Sequence, residues 1–177
     1  MKAKCYLLIL FFLPLLNCDV VDELTKFDLD YDTSYTLNPV PVVGVPVSLF
    51  TSDIETNTET TFENNNTNAN GIESIKLKSL KLVISSPETG NFNFLKYIQI
   101  YISTENVEEV EIANLFDIQN TNANSLELNT INVELKNYLQ EDAFKLRIAA
   151  VADETTSEFY DIDFFATFKV DAKVLGI

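Results

Sequence analysis

The stretch KFDLDYDTSYTL, residues 26–37, sets apolar against polar residues at alternate positions. Phe27, Leu29, Tyr31, Tyr35 and Leu37 share one face, and Asp28, Asp30, Asp32 and Ser34 the other. Successive side chains of a β-strand point to opposite faces, so a period of two predicts a strand buried on one side and solvated on the other. The same period returns at the far end of the chain, where Ile162, Phe164, Ala166, Phe168, Val170, Ala172 and Val174 fall on one face.

Between these ends the signals are mostly those of short strands. Pro39, Pro41 and Pro46 lack the N–H that a ladder needs, so residues 38–50 read as an edge segment or a crossing connection. Residues 51–70 are almost wholly polar. Their early part predicts a strand through Ile54 and Phe62, and Glu63 to Asn70 predicts an exposed loop. In GIESIKLKSLKLVISS, residues 71–86, the apolar phase runs through Ile75 and Leu77, then shifts to Leu80, Leu82 and Ile84. A one-residue phase change is what a β-bulge produces, although two strands also fit.

A turn at Pro87–Gly90 and a helical turn in FNFLKY (92–97) lead to a strand with Ile98, Ile100 and Ile102 on one face. Residues 107–116 and 124–135 predict two more strands, the second changing phase between Leu128 and Ile131. Leu135, Tyr138 and Leu139 have helical spacing before a strand from Phe144 to Val151. The sum is an all-β fold, an antiparallel β-sandwich of immunoglobulin-like or jelly-roll-like type with one short helix. It forms a single domain over 26–177.

The chain opens Met-Lys-Ala-Lys, followed by an apolar run from Cys5 to Leu16 broken only by Pro14. This is a secretory signal pattern, and the run is shorter than the ~20 residues of an ordinary membrane span. Its end, Leu15-Leu16-Asn17-Cys18, resembles the lipobox of bacterial lipoproteins. The resemblance implies a signal peptide over 1–17, diacylglycerol on the Cys18 thiol, and Cys18 as the new N-terminus. Asn17 stands where that family usually has Gly, Ala or Ser. A free thiol or an ordinary signal peptidase cut is the alternative.

Loss of the leader removes Cys5 and leaves Cys18 without a disulfide partner, which favours the thioether. Residues 18–25 then form a lipidated tether. Asp19, Asp22 and Glu23 within it resemble the acidic positions after the cysteine in surface lipoproteins of the Bacteroidetes lineage. The phrases LKSLKLVISSPETGNFNFLKYIQIYIST and FKVDAKVLG are also similar to those of small lipid-anchored lipoproteins of that type. The resemblance implies a place in the bacterial cell envelope, at the outer membrane, and brings no activity with it.

Removing residues 1–17 also leaves 10 basic against 27 acidic residues, a formal charge of −17. Such a surface repels phosphate backbones and anionic headgroups, which argues against nucleic acid as a partner and for membrane contact through the lipid alone. The chain has no His and no Trp, its only Met is Met1, and Cys18 is the one cysteine outside the leader. Ser-His-Asp and Cys-His catalysis and the usual zinc, copper and haem sites are therefore excluded. No glycine-rich phosphate loop is present and no cofactor is implied.

Carboxylates remain. Asp28, Asp30 and Asp32 line one strand face and form a weak calcium candidate, lacking the Gly and Glu of an EF-hand loop. Asp161 with Asp163, and Glu108, Glu109 and Glu111, are further acidic groups. Tyr97, Tyr101 and Phe165 are the candidate binding patch, each on the polar face of its strand. The expectation is a non-catalytic envelope lipoprotein with a binding, assembly or structural role and a protein or glycan partner. Two alternatives remain: a carbohydrate- or peptide-recognition module of a surface uptake system, and an acyl-chain carrier hollow between its sheets.

Overall fold

The computed structural model describes residues 25–173 of the chain, so the leader, Leu15, Leu16, Asn17, Cys18 and nearly all of the tether lie outside the described residues, as does Val174. The strands are β1 (Lys26–Leu37), β2 (Pro46–Phe50), β3 (Ile54–Glu55), β4 (Ile72–Ser86) and β5 (Leu95–Ser103), then β6 (Val110–Leu115), β7 (Ser125–Glu127), β8 (Asn129–Thr130), β9 (Ala143–Ala152) and β10 (Tyr160–Ala172). Two short helices, α1 (Thr58–Asn64) and α2 (Lys136–Leu139), join them.

All pairings are antiparallel. One sheet has the order β1-β10-β4-β7 and the other β2-β9-β5-β6-β8, with β3 continuing the β2 edge along β9. The first strand thus pairs with the last, β2 with β9, β4 with β7 and β5 with β6. That nested order is a jelly roll. An immunoglobulin-like order would seat the first strand beside the second, so the jelly-roll alternative is the one the chain adopts.

The core forms where the inner faces meet. Leu29, Ile75, Leu82, Phe164 and Phe168 from the first sheet pack with Ile98, Ile100, Ile112, Phe144 and Ile148 from the second. Rings lock the layers together: Phe144 of β9 lies edge-on to Tyr31 of β1 at 5.4 Å and to Phe168 of β10 at 6.2 Å. Such pairs add ~0.5–1.5 kcal/mol to the area they bury.

The phase change in β4 is a bulge. Thr167 pairs with Ser79 and Phe168 with Leu77, leaving Lys78 as an extra residue. Two more register shifts leave Glu73 and Ser85 similarly unmatched. Buried positions in β4 accordingly step 72, 75, 77, 80, 82, 84, with a step of three across the inserted Glu73 and Lys78. The bulged Lys78 turns outward and donates to Asp28 Oδ2 at 2.5 Å.

Three expectations need correction. Phe62 is not on a strand; it is buried in α1, which runs on to Asn64, and the exposed loop that follows ends in a 3-10 turn at Ala69–Gly71. Residues 124–135 are not one strand. The phase change at Leu128 is a change of sheet, β7 pairing with β4 and β8 with β6. The strand expected over 107–116 starts only at Val110, because Thr104 closes a turn by accepting from Asn106 N and Val107 N.

Deleting Lys78 takes out the bulge and leaves Ile75, Leu77, Leu80 and Leu82 in plain alternation on the core face, with Leu77 still opposite Phe168. Deleting Lys81, which stands inside the regular ladder, instead puts Leu80 out of phase with Leu82. We expect the second deletion to cost about 2–5 kcal/mol or to prevent folding, and the first to keep a cooperative transition. Urea denaturation of the two variants checks this; equal effects would contradict the bulge.

Candidate functional site

A polar cleft of about 1000 Å³ opens at one end of the sandwich. Its first wall is the segment from β3 into α1, and buried threonines fix it in place. Thr56 N and Thr56 Oγ1 both donate to the Asp142 carbonyl, Thr56 Oγ1 also reaches the Glu141 carbonyl at 2.7 Å, and Thr58 Oγ1 reaches that of Leu139 at 3.1 Å. The second wall is the end of α2, the start of β9 and the turn after β5. Asn106 Nδ2 donates to Glu141 Oε2 at 2.7 Å and joins the last two. Phe62 and Phe144, both buried, form the floor.

Asp53, Glu55, Glu59 and Glu63 line the first wall, and Glu105, Glu141 and Asp142 the second. Lys145 is the single cation in the lining, and it is paired with Asp53 at 3.3 Å. A concave acidic surface focuses its field and attracts cations from a distance. The cleft lies where the chain enters the domain: Ala172 N donates to the Thr25 carbonyl and Lys173 N to that of Gly71, one residue beyond the lining residue Asn70.

The three aromatic candidates do not form one patch. Tyr97 and Tyr101 lie on the outer face of the β2-containing sheet, since Ile98, Ile100 and Ile102 beside them fill the core. Phe165 is 46% exposed on the outer face of the other sheet, between Asp32 of β1 and Lys81 of β4. Each tyrosine already has a covering neighbour. Phe116 packs on Tyr97 at 5.7 Å, and the Arg147 guanidinium sits 3.9 Å above the Tyr101 ring. Arg147 is held there by two bonds to Glu109, at 2.7 and 2.9 Å, and these hold the Glu109 carboxyl below its usual range.

The acidic groups singled out in the sequence are spread among cross-strand bonds. Asp28 takes Lys78, Asp30 accepts from Thr167, Asp161 from Thr36 and Asp163 from Ser34. Glu111 accepts from Gln99 and Asn114. Asp32 faces Phe165 across the ladder. Among the described residues no three His, Cys, Asp or Glu side chains are grouped so as to hold a metal ion, and Asp28, Asp30 and Asp32 stand two rungs apart, ~7 Å, along one strand.

Between the sheets lies an apolar crevice of about 50 Å³, bounded by Tyr35 and Leu37 of β1, Val47 and Leu49 of β2, and Phe92, Phe94 and Phe164. Ligand pockets run to roughly 300–1,000 Å³. No family model matches the chain, and no curated protein matches it.

The cleft was not foreseen in the sequence. Its acids come from three separate stretches of the chain, 53–63, 105 and 141–142, with no shared spacing. The bond that seats its first wall on the opposite sheet is Tyr31 OH to the Thr56 carbonyl, at 2.6 Å. Burial raises the Tyr31 pKa well above its ordinary 10.0. A raised folded pKa means the bond's contribution is complete below the unfolded pKa of ~10 and is lost as pH rises above it. Tyr31→Phe should therefore cost ~0.5–1.5 kcal/mol at neutral pH. It should also flatten the fall in stability above about pH 10, as followed by urea midpoints between pH 7 and 11. An unchanged alkaline limb would count against this role.

Proposed function

We propose that this chain is a lipid-anchored lipoprotein of the bacterial envelope, held by Cys18, whose domain binds a partner and carries out no chemistry. Support for the anchor comes from the leader, the Leu15-Leu16-Asn17-Cys18 sequence and the short distance from Cys18 to the start of β1. Eight residues, 18–25, reach no more than about 29 Å when extended. That tether holds the cleft end of the domain toward the bilayer.

The observation that carries the binding half is the acidic cleft, with seven carboxylates against one lysine that is already paired. It favours a cationic group, such as the Lys- or Arg-bearing segment of an envelope protein, over a glycan. A sugar site relies on open aromatic faces brought together, whereas Tyr97 and Tyr101 are covered by Phe116 and Arg147 and the exposed Phe165 lies on the other sheet. The inter-sheet crevice is several-fold smaller than a ligand pocket and gives the acyl-carrier alternative no support.

Two measurements test the proposal. Intact mass of the membrane-extracted protein should show a chain starting at Cys18 with diacylglycerol attached, and Cys18→Ser should release it; an unmodified Cys18 would overturn the anchor. A tetralysine probe should bind the domain with an affinity that falls steeply between low and physiological salt. Glu59→Gln with Glu141→Gln should weaken it further by about tenfold, and a probe indifferent to both changes would overturn the cleft.

A further inference from the structure

The side of the sandwich where β1 and β2 face each other is unusual in two respects. Residues 33–52 contain no Asp, Glu, Lys or Arg in a chain of net charge −15. Five of the eight exposed large hydrophobics among the described residues, Val42, Val43, Val45, Val47 and Phe50, also fall within that stretch. Val47 and Leu49 point inward, as their pairing with the buried Ala150 and Ile148 shows, yet Val47 is 37% exposed because β1 does not close over it. The crevice between the sheets opens there.

The backbone of β2 is open on the same side. Thr51 N donates to the Leu146 carbonyl and Leu146 N to Thr51 Oγ1, both at 3.0 Å, so residue 51 bonds toward β9. In an antiparallel ladder this alternates, so Leu49 and Val47 bond toward β9 as well. Ser48 and Phe50 therefore turn N–H and C=O away from it, and Pro46 its carbonyl. Among the described residues no strand pairs with that edge.

We infer that β2 is a strand-addition site, which takes one extended segment of a partner protein, apolar at alternate positions and basic at its two ends. The added strand bonds to Ser48 and Phe50, and its inward side chains cover Val47, Leu49, Tyr35 and Leu37, completing the core at its open seam. The basic ends follow from charge. Asp53, 64% exposed even beside Lys145, lies just beyond one end of β2. At the other, Gly44 N donates to the Ala152 carbonyl, placing Asp153 and Glu154 beside it. A second copy of this chain fits less well: it brings its own −15, and a two-fold pairing about Ser48 sets each Pro46, without N–H, against the Phe50 carbonyl of the other. The β2 edge shares only Asp53 with the cleft wall, and the inference does not depend on the tetralysine result.

The test uses the peptide Lys-Val-Thr-Val-Thr-Val-Lys and the mature chain. Amide exchange at Ser48 and Phe50 should be fast in the free protein and slow when the peptide is added. Ser48→Pro removes an outward N–H and no bond to β9, so it should keep the wild-type urea midpoint while weakening the peptide about tenfold, the loss of one to two hydrogen bonds. Val47→Lys, a charge at the seam, should weaken it at least as much, and stands as the second variant if Ser48→Pro does not fold. Replacing both peptide lysines by aspartate should abolish binding. Slow exchange in the free monomer would mean that the chain covers its own edge and would overturn the proposal. So would a peptide that fails to bind or binds both variants unchanged, or a wild-type dimer in sedimentation that Ser48→Pro dissolves.

Discussion

The fold rests on the pairing of its first strand with its last. β1 and β10 match over twelve consecutive rungs without a shift, from Lys26 opposite Asp171 to Leu37 opposite Tyr160. On the inner side this pair delivers Leu29, Tyr31, Phe164 and Phe168 to the core. On the outer side it sets Asp30 against Thr167, Ser34 against Asp163 and Thr36 against Asp161, each with a hydrogen bond of 2.6–2.7 Å. Hydroxyls placed opposite the carboxylates let an acidic chain run two strands side by side without direct like-charge pairs. With the ends of the domain joined, every other strand is wound between them, and the jelly-roll order follows.

The same arrangement distributes function over the surface. The end where β1 begins is also where β4 begins and β10 finishes, so Thr25, the turn at Ala69–Gly71 and the acidic cleft are neighbours. The long side of the sandwich beside β2 is charge-free and open. With acids lining a concave end and exposed apolar residues along one sheet edge, the domain presents two chemically distinct surfaces.

Much of this was legible in residue order, because burial on one face of a strand writes a period of two into the sequence. β1, β5, β9 and β10 follow directly from it, and even the bulge at Lys78 shows as a step of three between Leu77 and Leu80. The phase change at Leu128 has the same appearance but another cause, a strand that leaves one sheet for the other, and local pattern does not separate the two. Helix α1 was hidden because TETTFEN is made of poor helix formers, with Asn57 in a left-handed conformation ahead of it and no side-chain cap. Tertiary burial of Phe62 holds it in place. The aromatic candidates failed as a group for a related reason. Alternation shows that Tyr97, Tyr101 and Phe165 point outward, but not that they belong to opposite sheets or that Arg147 and Phe116 cover the tyrosines.

The claim that β1 and β10 close the domain is tested most directly by truncation. Chains starting at residue 18, 25 and 38 should be compared by urea denaturation followed by circular dichroism. The first two should unfold cooperatively with the same midpoint, because residues 18–24 precede the first strand, and the third, lacking β1, should show no cooperative transition. A chain from residue 38 that still unfolds cooperatively near the midpoint of the others would contradict the account.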